Sequence, residues 1–275
     1  MSYADEVLAD NPTYWTRFAD LVRPVNEVGV TPAIADFVVD VTSAVAGPVD
    51  KAVRLEVVGD TSDTEHIIYG EEDTVLAPGD FDFGSDTPPY GAVAFEFWLK
   101  VDAFSNGTQV YLYSSHNKLA GGSLFLVLQR FNDVFSLRFH LLPTVYTSGT
   151  TAPSGYSGDI MLPIALGAWH HVVFNMCAAY EQVSNAYNNL FFDTQNQTVF
   201  FDTHQFGYLA GATLAGTIPF GLYSDVSAGQ VDLTLAELAV YANTRLSPQR
   251  VAAHYAAVMG PGGRGSKLAL LGVGR

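Results

Sequence analysis

Residues 93–101 read VAFEFWLKV, and this strict alternation limits the fold more than any other stretch of the chain. In an extended strand successive side chains point to opposite faces. Phe95, Phe97, Leu99 and Val101 therefore share one face, and Glu96, Trp98 and Lys100 share the other. A helix, with its period of about 3.6 residues, would scatter the four apolar side chains around its circumference. The stretch reads as a half-buried strand.

The same texture continues along the chain. From residue 36 onward, short apolar or alternating runs are separated by Gly, Pro, Asn, Asp and Ser, the pattern of many strands and turns. The runs are DFVVDV, AVRLEVV, HIIYG, VAFEFWLKV, TQVYLYSS, SLFLVLQRF, VFSLRFHLL, WHHVVFNM, NLFFDT, TVFFDT and LTLAELAVYA. With 18 Phe, 14 Tyr and only 15% charged residues, the chain favours sheets and excludes disorder. The sequence Phe-Phe-Asp-Thr occurs at 191–194 and again at 201–204, and a turn at the intervening QNQ predicts a hairpin with the copies opposed.

One helix is expected near the C-terminus. In RLSPQRVAAHYAAVMG, Ser247 suits the N-cap, Pro248 the first helical position, and Gly260 the stop. Val251, His254, Tyr255 and Val258 lie on one helical face, so that face should pack on the sheets. At the other end, YADEVLADN allows a single helical turn before Pro12, after which Tyr14, Trp15 and Phe18 form an aromatic anchor. The expected organisation is an arm and leader over 1–35, one antiparallel two-sheet β-sandwich over 36–258 and a glycine-rich tail over 259–275.

Composition removes several function classes. No apolar run reaches the roughly 18 to 20 residues that span a bilayer, and the N-terminus carries acids where an export signal needs bases. Neither membrane insertion nor signal-directed export is expected. The net charge is −15, and residues 1–86, with 18 acids and 4 bases, carry nearly all of it. Such a field repels nucleic-acid phosphates. The single cysteine, Cys177, has no partner for an internal disulfide and sits among apolar neighbours, which predicts a buried, inert thiol.

The stretch GAWHHVVF raises the question of a metal or catalytic pair, because histidine titrates near neutrality and ligates metals. On a strand, however, His170 and His171 project to opposite faces and cannot share an ion. One packs inside and the other outside. The best acidic cluster is GDFDFGSD, where Asp80, Asp82 and Asp86 make a weak Ca²⁺ candidate. The calcium-loop pattern fails there because Phe83 precedes Gly84 and no Glu follows at the required distance. The sequence lacks a G-x-S-x-G elbow, a phosphate-binding G-x-x-x-x-G-K-[ST] loop, and the E-x-D-x-E stretch of laminarinase-type glucanases. The chain is expected not to be an enzyme and to need no cofactor. Sequons at Asn106 and Asn196 read as turn residues.

Three segments in order carry a family resemblance: AFEFWLKVD, GAWHHVVF and LAELAVYANTRLSPQRVAAHYAA. They resemble the laminin-G-like, concanavalin-A-like jelly-roll domains. The matching positions are Glu96, Trp98, Trp169 to Val172, Glu237, Tyr241, Leu246, Ser247, His254 and Tyr255. The opening YADEVLADNPTYW is similar to the leader of such domains in bacteriophage virion proteins. Where many relatives carry a Y-V-D-G turn, VFFDTHQFG keeps Asp202 and displaces the glycine to Gly207. The resemblance implies an all-β jelly roll with one short C-terminal helix. It further implies a non-enzymatic virion surface protein, a capsid decoration or minor tail component, assembled in the host cytoplasm and displayed on the particle in several copies. Under that expectation Tyr14, Trp15, Arg264, Lys267, Leu268 and Leu270 are subunit-docking candidates. The alternative is a carbohydrate-binding module of a bacterial surface or adhesion protein, with calcium as an optional ligand and host-surface glycans as partners.

Overall fold

The computed structural model describes residues 2–12, 14–18, 27–28, 41–58, 65–66, 92–116, 123–142, 156–177, 189–197, 200–201, 223–224, 230–242 and 244–260. In chain order its elements are α1 (Tyr3–Ala9), β1 (Tyr14–Thr16), β2 (Val41–Ala46), β3 (Lys51–Val58), β4 (Glu65–His66), β5 (Ala92–Phe104) and β6 (Thr108–His116). They continue with β7 (Ser123–Phe131), β8 (Val134–Leu142), β9 (Tyr156–Leu162), β10 (Trp169–Cys177), β11 (Asn189–Phe192), β12 (Gln195–Gln197), β13 (Phe200–Phe201) and β14 (Tyr223–Ser224). The last two described elements are β15 (Gln230–Ala242) and α2 (Pro248–Met259).

Among the described residues the first sheet has eight strands, in the order β12-β11-β10-β5-β15-β3-β2, with β1 also paired to β15. The second has seven, in the order β13-β9-β8-β7-β6-β14-β4. Every strand pair is antiparallel. The expected two-sheet sandwich is present. Central strand β5 sends Phe95, Phe97, Leu99 and Val101 into the space between the sheets, where they meet Leu126, Leu128, Leu137 and Ile160 from the second sheet. Each such side chain contributes roughly 1.5–3 kcal/mol when fully buried.

The other face of the first sheet was expected to be its exposed side, and the structure corrects this. A third layer, made of α1 and α2, covers it, and Glu96 and Trp98 are fully buried there. Helix α1, seven residues long where a single turn was expected, adds a second helix to the one expected, and both are capped by local sequence. In α1, Ser2 accepts from the Asp5 N–H and Asp5 accepts from the Ser2 N–H, a reciprocal capping box. In α2, Ser247 accepts from the Arg250 N–H and Pro248 opens the helix, as its sequence predicts. Val251, His254 and Val258 are buried by α2, and Tyr3 and Val7 by α1. Among the described residues no helix is long and apolar enough to cross a membrane.

Two further expectations change. The hairpin after β11 turns at Asp193–Thr194, with φ of 48° and 72°, and QNQ is strand β12. Asn196 therefore lies on a strand, not in a turn. Phe200 and Phe201 pair with β9 in the opposite sheet, so the two Phe-Phe copies are not opposed. The sequence runs also missed β9, whose YSGDIML carries a glycine and an aspartate where alternation would be read. Within DFVVDV only Val41 is described, where it begins β2.

Candidate functional site

The densest polar chemistry lies beneath the helical layer. Glu96 is presented by β5 between β10 and β15, and its side chain is fully buried. Its Oε1 accepts from the Tyr3 hydroxyl at 3.1 Å, from His171 Nε2 at 2.7 Å and from His254 Nδ1 at 2.9 Å. Its Oε2 accepts from the Tyr241 hydroxyl at 2.6 Å. Two strands and both helices thus converge on one carboxylate. A charge in this position is tolerable only when paired and hydrogen-bonded.

His254 provides the pairing. Its Nδ1 faces Glu96 and its Nε2 lies 2.9 Å from Asp10 Oδ2, so both ring nitrogens meet a carboxylate. Burial alone would push this imidazole down; the charges and hydrogen bonds of Glu96 and Asp10 outweigh it and raise His254 above its ordinary value. Burial likewise would push Glu96 up, but the charge of His254 and the hydrogen bonds of His171 and His254 hold it well below the usual carboxylate range. Tyr3 and Tyr241 are raised by burial and by the Glu96 charge, which keeps their hydroxyls as donors. Arg250 closes the rim, with Nε 2.9 Å from Asp10, one terminal nitrogen 2.9 Å from Glu6 and the other donating to the Glu6 carbonyl. Trp98 stacks on His171 at 4.7 Å and on Tyr255 at 5.9 Å, forming an aromatic floor.

The two histidines answer the question their adjacency raised. His171 faces the helical layer, while His170 faces the sandwich interior, where it stacks on Phe192 at 4.6 Å. His170 Nδ1 donates to Asp193 Oδ2 at 2.6 Å and its Nε2 accepts from the Ala165 N–H at 3.0 Å. Asp193 also accepts from the His171 N–H, so the tight turn is pinned to β10. The rings lie back to back, as strand geometry requires. The expectation that one sits outside is corrected, since the helices bury His171 completely.

A second buried carboxylate sits where β15 bulges. Ala236 pairs with Trp98 and Ala239 with Glu96, three steps against two, so β15 carries one extra residue. Glu237 occupies the bulge with φ of 53°. Its side chain accepts from Trp15 Nε1 at 3.0 Å and Arg17 Nε at 3.3 Å. Burial pushes the Glu237 carboxyl up to about 7, against the opposing pull of Arg17 and Trp15. This places Trp15, a docking candidate, inside the protein's own core. For Tyr14 only the backbone pairing with Val240 is described. Asp80, Asp82, Asp86, Arg264, Lys267, Leu268 and Leu270 lie outside the described residues, as do Asp202 and the Cys177 side chain. Among the described residues no group of three or more His, Cys, Asp or Glu is arranged to hold a metal ion.

The motif positions that carry the family resemblance are the ones that assemble: Glu96, Trp98, His171, Tyr241, His254 and Tyr255 come together under the helices. Sequence reasoning saw them as markers of a fold and missed that they form one network. The available signal was a lone glutamate on a strand face shared with tryptophan.

No protein-family model matches the chain, and no curated protein does. Solved structures do. The binding domain of botulinum neurotoxin DC in complex with SialylT superposes on 90% of this chain with a TM-score of 0.52 and 9% identity. The botulinum neurotoxin serotype C1 binding domain covers 90% with a TM-score of 0.55 and 11% identity. A structure of botulinum neurotoxin type C, whose cell entry depends on interaction with two ganglioside molecules, covers 91% with a TM-score of 0.55 and 11% identity. The shared fold is a two-sheet β-sandwich. This chain spans 52% of each of those chains. At such low identity the likeness extends to the fold and no further.

Proposed function

We propose that the chain is a non-enzymatic glycan-binding β-sandwich domain. The observation that carries this reading is the state of its acid–base residues. Among the described residues, Glu96, His171 and His254, a combination that could support general acid–base chemistry, are wholly buried and bonded to one another. A general acid or base must come within hydrogen-bond reach of its substrate. These groups are committed to joining two helices to a sheet, which leaves the surface for recognition. The fold is shared with a botulinum neurotoxin binding domain described in complex with SialylT and with a botulinum neurotoxin type C structure described with gangliosides, which supports this reading. A panel of immobilised oligosaccharides tests the reading: saturable binding of at least one member without product release is expected, and binding of none, or turnover, would refute it.

A second reading rests on the leader. YADEVLADNPTYW resembles the segment preceding such domains in bacteriophage virion proteins, and here α1 and Trp15 are locked onto the sandwich. On this reading the domain is displayed on a particle, as capsid decoration or minor tail protein, with the tail from 259 as its subunit contact. Deleting residues 259–275 should leave folding intact and abolish incorporation into particles; normal incorporation removes the anchor.

A further inference from the structure

One rim of the second sheet combines an exposed aromatic ring with a rigid polar turn. Strands β7 and β8 are joined by two residues, Asn132 and Asp133, with φ of 49° and 63°. Both lie in the left-handed region, which matches the twist of a two-residue hairpin and leaves the loop little freedom. The turn is braced from three sides. The Asp133 N–H donates to Asn106 Oδ1 at 3.3 Å, Arg130 donates to Asp133 Oδ1 at 3.1 Å and to the Phe104 carbonyl at 2.6 Å, and the Gly107 N–H donates to the Arg130 carbonyl at 2.8 Å.

On this brace Phe131 is 67% exposed, opposite Val134 at 43%. Met161, 60% exposed, is opposite Ser136 on the neighbouring strand and so diagonal to Val134. An apolar side chain held out at a fixed position, beside amide and carboxylate groups, is the combination that takes a sugar ring: the ring's C–H face packs on the aromatic and its hydroxyls meet planar donors and acceptors. Asn132 supplies the amide, and the second Asp133 oxygen an acceptor.

The charges here also select among glycans. The cation beside the turn, Arg130, is already committed to Asp133 and to Phe104. Residues 87–275 balance to −1, from 10 acids and 9 bases, while the chain as a whole carries −15. An anionic sugar would meet a spent cation and an unfavourable long-range field. We infer that the β7–β8 turn is a binding site for neutral glycans, with Phe131 as the stacking platform and Asn132 and Asp133 as the hydroxyl-binding groups. This inference rests on the glycan-binding reading above and adds to it the site and the ligand class.

The test is a panel of neutral oligosaccharides of glucose, galactose, mannose and N-acetylglucosamine, printed beside the same oligosaccharides capped with sialic acid. The native chain is compared with Phe131→Ala and with Asn132→Gly, which removes the amide and keeps the turn's backbone accessible. Binding of neutral members, weaker for capped ones, is expected. Phe131→Ala should weaken it about tenfold or more, the worth of one buried aromatic contact, and Asn132→Gly should weaken it severalfold. Both variants should melt at or above the native temperature, because Phe131 contributes little to the core. Binding that survives Phe131→Ala overturns the site while leaving glycan binding standing. A preference for sialylated members overturns the ligand class. Binding of no member overturns the underlying reading, and the site with it.

Discussion

Replacing Glu96 with Gln preserves the shape of the side chain and removes its charge. The native carboxylate is fully buried and receives Tyr3, Tyr241, His171 and His254. In the variant the amide nitrogen turns a donor toward groups that are themselves donors, and His254 keeps Asp10 but loses the Glu96 carboxylate. Breaking a buried charge pair from one side costs about 3 to 5 kcal/mol. Against a total stability of about 5–15 kcal/mol, that is a large fraction. Urea unfolding at pH 7, followed by tryptophan fluorescence, reads it directly. With a slope of about 2–3 kcal/mol per molar urea, the midpoint should fall by more than about 1 M. A loss below about 1 kcal/mol, the worth of one ordinary neutral hydrogen bond, would refute the idea that the helical layer is held through this carboxylate.

Three more perturbations test the buried carboxylates and the β11–β12 turn. Stability should peak near pH 4.5, the ordinary value of both glutamates, and fall in both directions. Glu96, held below its ordinary value, stabilises above that value and loses its contribution as pH falls through the folded pKa. His254, raised, contributes fully below 6.5 and loses its contribution as pH rises through its folded value, while Glu237, raised from 4.5 to about 7, costs stability across that interval. Thermal melting from pH 3 to 9 checks this, and a maximum at pH 7 or above contradicts it. Glu237→Gln removes a penalty on the order of 3 kcal/mol above pH 7, from the gap between 4.5 and about 7 at about 1.36 kcal/mol per unit. The variant should therefore equal or exceed the parent in urea at pH 8, and a less stable variant would show that the charged pair with Arg17 is worth keeping. Thr194→Gly should stabilise by about 1 kcal/mol, since a β-branched residue at φ 72° is strained where Gly is not. A lowered melting temperature would show that the Thr194 side chain is doing something the backbone does not reveal.

Local chemistry made much of the fold legible. The alternation in VAFEFWLKV fixed which residues of β5 enter the sandwich, and Ser247, Pro248 and Gly260 bounded α2. The back-to-back histidines followed from strand geometry alone. The burial of Glu96 did not, because alternation separates two faces without saying what covers either. Here the cover comes from both ends of the chain: Tyr3 and Asp10 precede Glu96, and Arg250 and His254 follow it by more than 150 residues. The Glu237 bulge was hidden for the same reason, since its partners Trp15 and Arg17 lie at the far end of the sequence. The Asp193–Thr194 turn was missed because the sequence offers no Gly or Asn there. What holds Asp193 is the His170 ring and the His171 N–H.

Glycan binding without cleavage is the claim on which the functional account stands. Saturation-transfer difference NMR on a neutral oligosaccharide bound in the panel, mixed with the native chain and followed over a day, reads occupancy and chain length together. The account predicts saturation transferred to the sugar's ring protons, abolished by Phe131→Ala, with the oligosaccharide's length unchanged. Shortening of the oligosaccharide, or no transfer, would contradict it.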